Sequence, residues 1–327
     1  MARTPYIFPF QGIRTADKIY FEGQILHVSG SGNISKPTDS IWRNLKRTFQ
    51  LYTPVKIKKT NRVLEIILNN NKYLAHLDKY GYFNIDIEIG DTNIEKLNEV
   101  KFFLGNSQIY INRDIGLSSL LINNKEFETG VLSDIDDTII VSHSTNKLKK
   151  TALVGLKNAY SRKIVTETKE LFETLDSKGC QFFYVSNSET NLYLLIKWML
   201  RINNLPNGPV FLKRIKNYKN IFRVRYHKEF EIKYRHKIGR IINILELFPT
   251  KKFILVGDSG QGDPEIYRLI ASTYPNRIIA VLIRDITNSK RRETLIKYEN
   301  ELKKTGIPFL HYSENKPVKN FIETIEF

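Results

Sequence analysis

Val131-Leu-Ser-Asp-Ile-Asp-Asp-Thr-Ile-Ile140 sets an apolar run against three carboxylates, Asp134, Asp136 and Asp137, with Thr138 following at once. Carboxylates this close repel one another and are costly to desolvate. Their place at the tip of a strand-like run therefore asks for a compensating cation. A calcium loop of the EF-hand type requires Gly at its sixth position and Glu at its twelfth. Counted from Asp134 these are Ile139 and Thr145, which excludes that loop. A plain acidic turn would not follow an apolar strand and lead straight into Ile139-Ile140-Val141.

Outward from this stretch, from about residue 127, short apolar strands alternate with helical segments. Strands are expected at Gly130–Ile135, Gln181–Val185, Phe253–Val256 and Ile278–Ile283, with helices at Val165–Leu175, Asn191–Leu200 and His236–Leu247. Continuous apolar strands separated by helices indicate a parallel α/β sheet. In such sheets the chemistry collects where the carboxyl ends of the strands open into loops.

Three more polar groups fall at such places. Tyr184-Val-Ser-Asn-Ser188 ends an apolar strand just before a helix, which would put Ser186 at a helix N-terminus suited to phosphate. Lys237, in His236-Lys-Ile-Gly239, is expected at the start of a helix. Gly257-Asp-Ser-Gly-Gln-Gly-Asp-Pro-Glu265 places Asp258 at a strand end and Asp263 five residues later. Its glycines let the loop fold back, and Pro264 fits the first turn of the next helix. Carboxylates from two strand ends can converge on one hard cation such as Mg²⁺.

The first third reads differently. Phe83, Ile85, Ile87 and Ile89 alternate with Asn84, Asp86 and Glu88, the period of a half-buried antiparallel strand. Further short strands are expected at Ile19–Val28, Arg62–Leu68, Tyr73–Leu77, Val100–Leu104 and Ile109–Ile111. The spacing suggests a sandwich-like β domain over residues 1–125, followed by an α/β domain over residues 126–327. Trp42, Leu45 and Phe49 share one helical face with Arg43, Lys46 and Arg47 between them, a pattern of core-packed helices and of helices lying in a membrane interface.

Composition limits the partners. The formal net charge is +17, and the basic residues are clustered. Residues 41–62 and 147–163 hold Lys and Arg with no acid, and residues 213–240 hold eleven Lys and Arg against Glu229 and Glu231. Such patches attract anionic lipid or nucleic acid. No interleaved aromatic and basic platform for single strands is evident, so an anionic membrane surface ranks above nucleic acid. Cys180 is the only cysteine, which excludes an intramolecular disulfide and suits a reducing compartment. With no signal-peptide-like start and no membrane-length apolar run, the expected location is cytoplasmic, peripheral to a membrane if the basic patches bind one.

In order, Asp134-Ile-Asp-Asp-Thr138, Ser186, Lys237 and Gly257-Asp258 with Asp263 resemble the haloacid dehalogenase superfamily of phosphohydrolases. YVSNSETNLY, HKIGRIINILELFP, KKFILVGDSGQGDPEIY and IIAVLIRDI further resemble the lipin-related phosphatidate phosphatase family founded on a yeast actin-patch protein, bacterial members included. FQGIRTADKIYFEGQIL and IWRNLKRTF resemble the β domain preceding the catalytic domain in bacterial members. One departure is visible: Glu189-Thr190 stand where that family often has Pro-Trp.

The resemblance implies a Rossmann-like core with a parallel sheet and no large cap. It implies a Mg²⁺-dependent phosphatase working through an aspartyl-phosphate, with phosphatidate or a related lipid phosphate as substrate. Asp134 would be nucleophile and Asp136 general acid and base. Thr138, Ser186, Asn187 and Lys237 would bind phosphate, and Asp137 would be structural. The metal set would be Asp134, the carbonyl of Asp136, Asp258 and, as a direct or outer ligand, Asp263. Two alternatives stay open: a phosphatase for nucleic-acid ends or phosphoproteins, and a non-catalytic phosphatidate-sensing module. Intact Asp134 and Asp136 argue against the second.

Overall fold

The computed structural model describes residues 5–10, 12–15, 18–27, 57, 62–68, 70–88, 100–111, 121–122, 127–136, 138–139, 165–214, 228–286, 289–313 and 315–325. Asp137, the helix expected around Trp42 and the basic stretch 147–163 lie outside the described residues, as do most of the basic stretch 41–62 and residues 215–227 of the stretch 213–240. The chain divides into two compact units, Met1–Lys125 and Glu126–Phe327.

The first unit is β throughout its described residues. Its strands are β1 (Pro5–Pro9), β2 (Gly12–Arg14), β3 (Lys18–His27), β4 (Val63–Leu68), β5 (Asn71–His76), β6 (Tyr82–Glu88), β7 (Lys101–Leu104), β8 (Ser107–Ile111) and β9 (Leu121–Ile122). They form one hydrogen-bonded path, β5-β4-β7-β8-β1-β3-β2-β9, with β6 paired to β3. The alternation in β6 does what a half-buried strand requires: Phe83, Ile85 and Ile87 face inward while Asn84, Asp86 and Glu88 are exposed. Residues from β3 and β6 share one core with residues from β4 and β7. The sheet thus folds back on itself as a sandwich does. Phe21 is edge-on to both Phe83 and Phe102, at 5.9 and 6.1 Å between ring centres.

The second unit carries β10 (Thr129–Ser133), β11 (Gln181–Glu189), β12 (Val210–Lys213), β13 (Lys252–Asp258), β14 (Ile278–Arg284) and β15 (Phe309–Tyr312). All neighbouring pairs are parallel, in the order β12-β11-β10-β13-β14-β15. The helices are α1 (Thr166–Ser177), α2 (Tyr193–Ile202), α3 (Lys228–Leu247), α4 (Asp263–Thr273), α5 (Ser289–Lys303) and α6 (Asn315–Thr324). β10 and β13 are buried along nearly their whole length, as apolar strands covered on both faces must be. The chain order of the strands reverses between β10 and β13, the doubly wound arrangement whose ligand crevice lies outside the carboxyl ends at that point.

Two placements differ from the sequence reading. β11 runs on to Glu189, pairing with Lys213 of β12 beyond a register shift, so Ser186 lies within a strand rather than at a helix N-terminus. α3 begins at Lys228, so Lys237 stands in mid-helix rather than at its start. The nine charged residues between Lys213 and Arg235 carry no apolar periodicity, and nothing local announces the helix there. Among the described residues no helix is long and apolar enough to cross a membrane.

Candidate active site

The reversal point gathers the acids. Asp134 follows β10 directly, and its amide donates to the Val256 carbonyl of β13 at 2.9 Å. Asp258 ends β13, and Asp263 opens α4. Carboxylate oxygens of Asp134, Asp258 and Asp263 all lie within 4.8 Å of one another, and all three residues are buried.

Lys237 enters from α3 with no exposed surface. Its Nζ lies 2.8 Å from Asp134 Oδ1 and 2.5 Å from Asp263 Oδ1, and 5.4 Å from the ring centre of Tyr267. Burial alone would push this amine down, but Asp134 and Asp263 more than offset that and hold it well above the ordinary lysine value. Lys237 is therefore an ammonium. Burial pushes the Asp134 carboxyl up, Lys237 opposes it, and Asp263, Asp136 and Asp258 add to the rise.

The remaining contacts fix the carboxylates. Asp258 accepts from Thr138 Oγ1 at 3.1 Å and from the Gly260 amide at 2.7 Å. Asp263 Oδ2 accepts the Asp258 amide at 3.3 Å. Thr138 is fully buried, and its own carbonyl accepts from Thr168 Oγ1 at 2.6 Å. Its hydroxyl thus orients Asp258. Asp136 Oδ2 accepts two hydroxyls, Ser186 at 2.9 Å and Ser188 at 2.5 Å. Ser186 Oγ accepts the Ser188 amide at 2.8 Å, and Asn187 is half-buried between the two serines.

The sequence reading did not include Ser188. The signal was present: residues two apart on a strand share a face, and β11 extends through both serines. Asp134, Lys237, Asp263, Asp258 and Thr138 form one connected set, and Asp136, two residues after Asp134, forms a second with Ser186 and Ser188.

A divalent cation fits this set. Asp134 Oδ2 is buried without a hydrogen-bond partner, which is costly unless a cation or ligand meets it. The converging carboxylates of Asp134, Asp258 and Asp263 against the Lys237 ammonium leave two formal negative charges, the charge a divalent ion balances. Oxygen donors of this kind suit hard cations.

Residues 129–285 match the family Phosphatidate phosphatase APP1, catalytic domain. The chain is 37% identical over 170 residues to the phosphatidate phosphatase APP1 of Saccharomyces cerevisiae, covering 49% of this chain and 26% of that protein. It is 24% identical over 206 residues to an uncharacterised protein of Schizosaccharomyces pombe, covering 60% of this chain and 32% of that protein. The chain thus spans about a quarter to a third of the relatives it matches. Solved structures with partial likeness include a class C acid phosphatase from Bacillus anthracis with tungstate bound, at 12% identity and TM-score 0.30, covering 62% of this chain and 82% of that one. Another is a phosphoserine phosphatase from T. onnurineus, at 16% identity and TM-score 0.32, covering 63% of this chain and 99% of that one. The segment of this chain that carries the acids and Lys237 at the strand reversal is thus the one that matches the phosphatidate phosphatase APP1 catalytic domain family.

Proposed function

We propose that the protein is a Mg²⁺-dependent phosphatase acting on a lipid phosphomonoester, phosphatidate or a close relative, through an aspartyl-phosphate. The observation that carries this reading is the convergence of Asp134, Asp136, Asp258, Asp263 and Lys237 on one strand reversal within the segment that matches the family.

Asp134 attacks phosphorus with a carboxylate oxygen, forming an acyl-phosphate bond as the bond to the leaving alkoxide breaks. Asp136 gives that alkoxide a proton, then takes one from the water that attacks the acyl-phosphate; inorganic phosphate leaves and Asp134 is regenerated. The Ser186 and Ser188 hydroxyls, both donating to Oδ2 of Asp136, hold that carboxyl in place for the transfer. Lys237 offers its ammonium to the phosphoryl oxygens, where charge gathers in the transition state, and Ser186 and Asn187 are the further phosphate-binding groups of this reading. Thr138 acts through Asp258. Asp134, Asp258 and the Asp136 carbonyl would hold Mg²⁺, with Asp263 beside them. A bound Mg²⁺ supplies charge neutralisation between anionic nucleophile and anionic phosphate. An anionic membrane is the partner surface this reading favours, given the net charge of +17.

The test compares Mg²⁺-dependent phosphate release from phosphatidate vesicles, soluble phosphomonoesters, 3′-phosphorylated oligonucleotides and phosphopeptides. Vesicles should be preferred, and Asp134→Asn should lower turnover by about 10³-fold or more. Wild-type turnover in Asp134→Asn would sink the nucleophile assignment. Preference for oligonucleotides or phosphopeptides would overturn the lipid reading, and no release from any substrate would favour a sensing module.

A further inference from the structure

Arg291, near the start of α5, reaches back over the loop that joins Asp258 to Asp263. Its Nε donates to the Ser259 carbonyl at 3.1 Å, and its Nη2 donates to the Gln261 carbonyl at 2.5 Å. The same guanidinium forks onto Glu265 in the first turn of α4, with Nη1 to Oε1 at 2.5 Å and Nη2 to Oε2 at 2.8 Å. One side chain thus grips the loop just past Asp258, at its middle, and just past Asp263. Only a rigid planar fork with several donors can satisfy all of these acceptors together.

A second tie runs alongside. Ser259 is fully buried; its Oγ donates to Asp285 Oδ1 at 3.3 Å and accepts the Ile286 amide at 2.9 Å. Asp285 Oδ2 in turn accepts Arg292 Nε at 3.0 Å. Gly260 and Gly262 leave the loop little stiffness of its own. Its shape must be imposed from outside, and α5 does so.

We propose that Arg291 is a positioning residue that presets Asp258 and Asp263 for a divalent cation. This rests on the metal reading above and assigns a role to a side chain outside the acidic cluster. Outer partners that orient ligands typically change metal affinity by about 10–100-fold when removed.

The test is calorimetric titration of the full chain with Mg²⁺ and with Mn²⁺. Arg291→Ala should bind about 10–100-fold more weakly, with Arg291→Lys no better than threefold improved, because an ammonium cannot fork. Glu265→Gln keeps the two carbonyl contacts and should fall between. Without metal, amide hydrogen exchange of residues 259–262 should speed up in Arg291→Ala, while amides of β10 and β11 keep wild-type rates. The Mg²⁺ needed for half-maximal activity should rise with Kd, and kcat at saturating Mg²⁺ should return to near the wild-type value.

Wild-type affinity in Arg291→Ala, or full restoration by Arg291→Lys, overturns the proposal. If Arg291→Ala does not fold, wild-type affinity in Glu265→Gln overturns it alone. A wild-type chain that binds neither ion refutes the metal reading itself, an outcome distinct from an unaffected variant.

Discussion

A lysine with no exposed surface keeps its charge only if anions replace the lost water, and Lys237 has Asp134 and Asp263 for that purpose. The arrangement demands close approach of backbone to carboxylate, which is where Gly257 matters. A Cβ there would lie 2.4 Å from Asp263 Oδ2 and 2.7 Å from Tyr267 Cε2. Neither can retreat freely, since Asp263 Oδ2 accepts the Asp258 amide and the Tyr267 hydroxyl donates to the Val256 carbonyl at 3.0 Å. Gly257→Ala should therefore cost about 1–3 kcal/mol, the usual scale of overpacking. Urea unfolding checks this; an unchanged midpoint would show that the pocket has room the structure does not display. The clustered acids themselves were legible in the sequence because the proposed chemistry needs those residue types at strand ends. Ser188 and Arg291 were not read there, nor was the close approach at Gly257: their partners come from other elements or from a strand longer than its apolar run.

At the scale of elements, α2 supplies a buried titratable group, Lys197. Lys197 is 9% exposed and donates to Asn207 Oδ1 at 3.0 Å and to the Gly208 carbonyl at 3.2 Å, tying α2 to the loop before β12. Burial pushes it down from 10.5 to about 8. Between those values the unfolded chain holds a proton that the folded chain has released. Stability should therefore rise with pH across that window, by about 3 kcal/mol from this group, and be flat with respect to it below pH 8. A neutral amine still donates two hydrogens, so both contacts survive. Urea unfolding of wild type and Lys197→Met at pH 7.5 and pH 10 isolates the effect: wild type should gain stability relative to the variant at the higher pH. An equal difference at both would contradict it. The elements that sequence reading missed share physical reasons. β12 and β15 are four-residue strands, too short to show a period. α5 is charged around most of its circumference, burying Leu295 and Leu302.

For the whole molecule, the strand order fixes where chemistry sits. Only β10 and β13 flank the reversal, and Asp134 and Asp258 stand at their carboxyl ends. That much follows from motif spacing once the sheet is known to be parallel; the fold-back of the first unit does not, because local alternation says nothing of which strands share a core. The β unit has its own core, built on Phe21, Phe83 and Phe102, and the metal-site candidates all belong to the other unit. A ligand that binds the native state alone stabilises the unit that holds it, by about 2.7 kcal/mol at a concentration 100 times its Kd. Added Mg²⁺ should therefore slow amide exchange most in β10, β13 and the first turns of α4, and leave exchange in β3 and β6 unchanged. Asp258→Asn removes a carboxylate charge from the cluster and should erase the effect in the α/β unit. Equal protection of both units in wild type would mean that they open as one cooperative body, and protection that persists in Asp258→Asn would place the cation elsewhere.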